Sequence, residues 1–153
     1  MRPLPLLLLL LTVFAAATPA DAKTRVIDDS GTLPYDAPLV LHWQQLSPRR
    51  PVNNHMTGTL TLRVKLNVAH WLRRPGRIYL VLPAQQPGAM NASWSTQGRL
   101  LPGRLSSGTR ALVYSGLITM PFIEDVLQLT LEADGTQMRQ LYHVNFRFEM
   151  DEE

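Results

Sequence analysis

The chain has 153 residues, no cysteine, 45% hydrophobic residues and a formal net charge of +3. Without cysteine it has no disulfide, no thiolate metal site, no cysteine nucleophile and no lipid-bearing cysteine, so its stability rests on packing. The charge is unevenly placed: ten basic and no acidic residues lie between Ala37 and Ile123, whereas eight acidic residues lie between Glu124 and Glu153. Segregation of this kind bears on association and steering rather than on fold. The alternative is that strands distant in sequence interleave and neutralise the two signs within one molecule.

Met1 and Arg2 precede an apolar run from Leu4 to Ala17 that contains an unbroken stretch of leucine from Leu6 to Leu11. A basic start, an apolar core and then small residues form a secretory signal pattern. The expected cleavage follows Ala20-Asp21-Ala22, making residues 1–22 a signal peptide and placing the mature protein in the periplasm or at the cell surface. A retained anchor fits less well, because a span needs roughly 20 apolar residues and this run is shorter. No later stretch is apolar enough to cross a bilayer.

Residues 23–37 are polar, with Asp29-Ser30-Gly31 and Pro34, and read as a flexible leader ordered only by contact. The domain is expected over residues 38–150, followed by an acidic tail, Asp151-Glu152-Glu153. Pro38 to Trp43 reads as a first strand and Gln44 to Met56 as a loop. From Thr59 to Val68, Leu60, Leu62, Val64, Leu66 and Val68 alternate with Thr59, Thr61, Arg63, Lys65 and Asn67. Strict period two excludes a helix and gives a strand with one face in the core. Arg74-Pro75-Gly76 reads as a type II turn. Strands are then expected at Arg77 to Leu82, Met90 to Thr96 and Arg110 to Ile118, with Leu100 to Leu105 irregular or at an edge because of Pro102-Gly103.

Near the C-terminus, Leu127, Leu129 and Leu131 alternate with polar residues, as do Tyr142, Val144, Phe146, Phe148 and Met150. Asp134-Gly135 lies between the two runs and predicts an antiparallel hairpin. About seven or eight short strands punctuated by Pro and Gly, with no convincing helix, describe a single antiparallel β-sandwich, immunoglobulin-like or related. A closed barrel is the second choice.

Catalytic chemistry is hard to assemble from these residues. There is no Gly-x-Ser-x-Gly elbow, and His42, His55, His70 and His143 are each more than ten positions from the next. Metal sites favour short, repeated ligand spacings. Adjacent carboxylates on a strand point to opposite faces and make no ready acid–base pair. No phosphate loop or dinucleotide fingerprint is present, so no cofactor is expected. The basic middle would suit nucleic acid, but export argues for another polyanion. Asn91-Ala92-Ser93 matches a glycosylation acceptor but lies in an expected strand and is given no role.

The candidate interaction residues are Trp71, Arg73, Arg74, Arg77 and Tyr79 around one turn, with Trp43 at another strand end. Indole and guanidinium groups are favoured interface anchors. For Trp43 and Trp71 the alternative is that each simply caps the sandwich. The leading expectation is a non-catalytic exported subunit or accessory factor of an envelope or cell-surface assembly, of pilus or secretion type, binding a protein partner or a second copy through its acidic tail. The rivals are a module that binds carbohydrate, such as a polyanionic glycan, or another small envelope ligand, and an atypical enzyme.

Overall fold

The computed structural model describes residues 23–34, 41–43, 55–84, 89–135 and 145–152. The expected signal peptide and Val144 lie outside them. The described residues form ten strands: β1 (Thr24–Val26), β2 (Leu33–Pro34), β3 (His42–Trp43), β4 (His55–Asn67), β5 (Pro75–Leu82), β6 (Met90–Thr96), β7 (Gly103–Ser106), β8 (Thr109–Leu117), β9 (Phe122–Asp134) and β10 (Arg147–Glu152). The helical content among the described residues is a single 3-10 turn, Ala69–Trp71. Every pairing is antiparallel. One sheet has the order β1-β10-β5-β8; the other runs β2-β4-β9-β6-β7, with β3 also against β4.

The two sheets close on one core because period-two sequences turn their apolar faces toward each other. Val64, Leu66, Ala92, Trp94, Leu127, Leu129 and Leu131 enter it from the larger sheet, and Ile78, Leu80, Leu82, Val113, Phe148 and Met150 from the smaller one. β4 pairs with β9 along its whole length, from His55↔Asp134 to Asn67↔Phe122, and the expected alternation in burial is clear at Val64 and Leu66. Leu60 and Leu62 are only half-buried. Among the described residues, the side of β4 away from β9 is met near them by the two-residue strands β2 and β3, which leaves this stretch near the edge of the sheet. Phe146, expected inward, is also half-buried, whereas Phe148 is 2% exposed.

The expected C-terminal hairpin does not form. β9 pairs with β4 and β6, while β10 crosses to the other sheet and inserts between β1 and β5. Alternation tells which side chains face the core but not which sheet holds the strand, and β9 and β10 present the same pattern from opposite walls. The acidic end is likewise no free tail: Asp151 and Glu152 belong to β10, and Asp151 is buried. Residues 23–34 find the contact that a leader would need, β1 along β10 and β2 along β4. Pro75-Gly76 opens β5 instead of making a turn, which suits proline, since a first strand residue need not donate to the ladder. The reversal falls three residues earlier, at Leu72 and Arg73.

Candidate docking surface

The sequence placed its interaction residues around one turn; the fold separates them. Trp71 ends the 3-10 turn with its ring inside, 6% exposed, and its indole Nε1–H donates to Glu152 Oε1 at 2.9 Å. It caps the core and presents no anchor to solvent. His70 packs edge-on against it, 5.4 Å between ring centroids. The Trp71 bond, aided by Arg25, Lys23 and Arg74, holds the Glu152 carboxyl below its usual range against the opposing effect of desolvation. Trp43 pairs through its backbone with Met56 on the edge of the larger sheet, away from the β4–β5 turn.

Arg77 and Tyr79 lie on the outer face of the smaller sheet, in register with Asp151 and Glu149 of β10. That face is internally neutralised. Arg110 of β8 reaches across the Tyr79 ring, 4.1 Å from its centroid, and donates from both terminal nitrogens to Asp151 at 3.0 Å. Thr24 Oγ1–H donates to the same carboxylate at 2.7 Å. The Arg110 bonds lower the Asp151 pKa, more than burial raises it, with Thr24 and the charge of Arg77 adding to the lowering. Arg147 pairs with Glu149 at 2.8 Å and Arg25 with Glu152 at 3.1 Å. On the larger sheet Lys65 pairs with Glu124 at 3.2 Å. The acidic C-terminal segment therefore lies among the basic ones, and the charge division along the chain is largely folded away. The Glu149–Glu152 stretch is engaged in its own molecule, so a second copy does not find it free.

Arg73 and Arg74 remain, at one end of the sandwich. The β4–β5 connection, residues 68–74, crosses that end beside the β8–β9 connection, residues 118–121. Three backbone bonds tie them: Val68 N–H to Pro121 O at 2.8 Å, Arg73 N–H to Ile118 O at 2.8 Å, and Ile118 N–H to Arg74 O at 2.9 Å. The Asn67 carboxamide oxygen accepts the Ala69 N–H and starts the turn. Arg73 takes a left-handed backbone, φ 63°, a conformation costing an L-residue roughly 1–2 kcal/mol and held here by the Ile118 bond. The result is a fixed double ridge. Exposed on or beside it are Leu72, Leu117, Met120 and Phe122, each between 39% and 54% accessible, with exposed Arg73 and Arg74. Arg99 joins Met120, Pro121, Phe122 and Glu124 around a shallow depression of about 290 Å3.

Sequence reasoning missed this apolar half. The signal was Leu117-Ile118-Thr119-Met120-Pro121-Phe122, large apolar residues carried through a Pro-containing reversal where small polar ones are usual. Arg99 is brought in by Asp125, a buried carboxylate that accepts the Gln97 N–H at 3.2 Å and the Leu100 N–H at 2.8 Å and so fixes the loop between them.

Two larger depressions, about 680 and 540 Å3, lie on the outer face of the larger sheet and share Ser93 and Thr130. Their exposed side chains are small hydroxyls with Asn91, Gln128, Glu132 and Arg104, a solvated sheet face with no apolar anchor. Among the described residues no group of three or more His, Asp or Glu could hold a metal ion, and no helix is long and apolar enough to cross a membrane. No family model, curated protein or solved structure matches the chain.

Proposed function

We propose that the protein is an exported, non-catalytic interaction protein, an accessory factor or subunit of an envelope or cell-surface assembly, and that it docks through the end ridge bearing Leu72, Arg73 and Arg74. The sandwich is read as immunoglobulin-like or related, and the location as periplasmic or cell-surface. The observation that carries the reading is the coincidence of exposed apolar side chains with arginines outside the ion pairs that neutralise the sheet faces. Apolar contact supplies affinity, and uncompensated charge supplies steering. A glycan site built on Trp43 and Trp71 loses its main support with Trp71 inside the core.

The test is capture of envelope components by the exported protein, compared with Arg73→Asn/Arg74→Gln. Asn tolerates the left-handed backbone at position 73, so the double variant removes charge without adding strain. Capture should weaken most at low salt, because the screening length falls from about 10 Å at 0.1 M to about 3 Å at 1 M. A folded double variant that captures the same components equally well at low salt would show that docking runs elsewhere.

A further inference from the structure

The docking reading leaves open what the ridge meets; we infer that it is the anionic face of a lipid bilayer, an inference that rests on that reading and names its partner. Three observations favour this occupant. The ridge is two crossing connections held together by the Val68, Arg73 and Ile118 bonds; Leu72 and Leu117 stand exposed on or beside it, and Met120 and Phe122 border no more than a shallow depression. Specific protein interfaces bury roughly 800 Å2 on each partner with close shape matching. Separate aliphatic tips on a ridge do not offer that, whereas a headgroup boundary deforms around them and accepts Leu, Met and Phe to a shallow depth.

The second observation is charge. Lys65, Arg25, Arg110 and Arg147 on the sheet faces are each paired to a carboxylate. Arg73, Arg74 and Arg99 flank the apolar tips without an ion pair among the described residues; Glu152 is the acidic group that senses Arg74, and it is already engaged by Trp71 and Arg25. Three arginines thus stand beside the exposed apolar groups, which complements anionic headgroups. Third, arginine suits the boundary: its stem lies along acyl chains while its planar head donates paired hydrogen bonds to phosphate.

The experiment is co-sedimentation of the exported protein with phosphatidylcholine vesicles and with mixed phosphatidylcholine–phosphatidylglycerol vesicles, beside the capture assay above. An intact Leu4–Ala17 run would itself hold a chain on lipid, so all variants are compared with the same N-terminus, checked by mass. The parent should bind mixed vesicles and release at high salt. Arg73→Asn/Arg74→Gln should weaken binding about tenfold or more, since each surface cation near an anionic leaflet adds roughly a factor of five. Leu72→Ser/Met120→Ser, at exposed positions that leave the core untouched, should weaken it separately. Equal binding to both vesicle types, or none, overturns the inference, as does binding unchanged by either pair of substitutions. Loss with the arginine pair alone overturns it in favour of a polyanion without an apolar phase. If vesicles do not bind but the arginine pair abolishes capture of an envelope protein, the lipid inference fails and the docking reading stands. If neither assay responds, both fall.

Discussion

Replacing Asp125 by alanine tests how the loop behind Arg99 is held. The carboxylate is 6% exposed and has no cationic partner among the described ion pairs; its stabilisation comes from the backbone N–H groups of Gln97, Leu100 and Val126. Alanine removes the acceptor and leaves three donors without it, those of Gln97 and Leu100 in the loop and that of Val126 beside the carboxylate, the Leu100 bond being the buried one. An unsatisfied buried donor costs about 1–3 kcal/mol. Partial hydration of the Gln97 N–H, which lies nearer solvent, reduces its share, so the expected loss is about 2–3 kcal/mol. At roughly 3–4 °C per kcal/mol for a domain of this size, Tm should fall by about 6–12 °C. Urea unfolding followed by tryptophan fluorescence gives the same quantity as a shift in midpoint, and an unchanged slope would show that the unfolded state is unaffected. Asp125→Asn serves as the shape-preserving control: its single carbonyl oxygen serves one side while its NH2 group meets a donor on the other, so much of the loss should remain. If the alanine variant unfolds within about 0.5 kcal/mol of the parent, as an ordinary surface substitution would, the carboxylate does not hold the loop.

Two further outcomes follow from the packing and the charges. Phe148→Ala should cost about 3–5 kcal/mol, whereas Phe146→Ala, at a half-buried site, should cost clearly less; equal losses in denaturant unfolding would contradict the placement of β10. Asp151 has its folded pKa depressed chiefly by Arg110, so its stabilising contribution is present above the ordinary aspartate value near 3.8 and is lost as pH falls through the folded value. Asp151→Asn should therefore be less stable than the parent at neutral pH and converge on it in acid; parallel stability–pH curves would refute the pairing.

Strands were legible in this sequence wherever one face is dry and the other wet. Leu60 to Val68 and Leu127 to Leu131 announce themselves because a pleated chain at a core–water boundary must alternate. Pairing was not legible. Asp134-Gly135 is good hairpin chemistry, yet β10 gains more by filling the space between β1 and β5, where Phe148 and Met150 are fully covered and Asp151 meets Arg110. The docking surface was half legible: Arg73 and Arg74 were visible as a cluster of like charge, but Trp71 looked the same as an exposed indole until Glu152 was seen to reach its Nε1. Leu72, Met120 and Phe122 join only through the crossing of two connections remote in sequence.

The seat of β10 orders events during synthesis. Thr24 and Asp151 are 127 positions apart in sequence and touch in the finished sheet. Until β10 has been made, β1 lacks this partner strand and one wall of the core lacks Phe148 and Met150. Closing so long a loop is an entropic cost met late, and such non-local pairings are intrinsically slow. The same arrangement makes β10 a poor place to cut the chain, since its loss would strip β1 and β5 of their shared partner and the core of Phe148 and Met150.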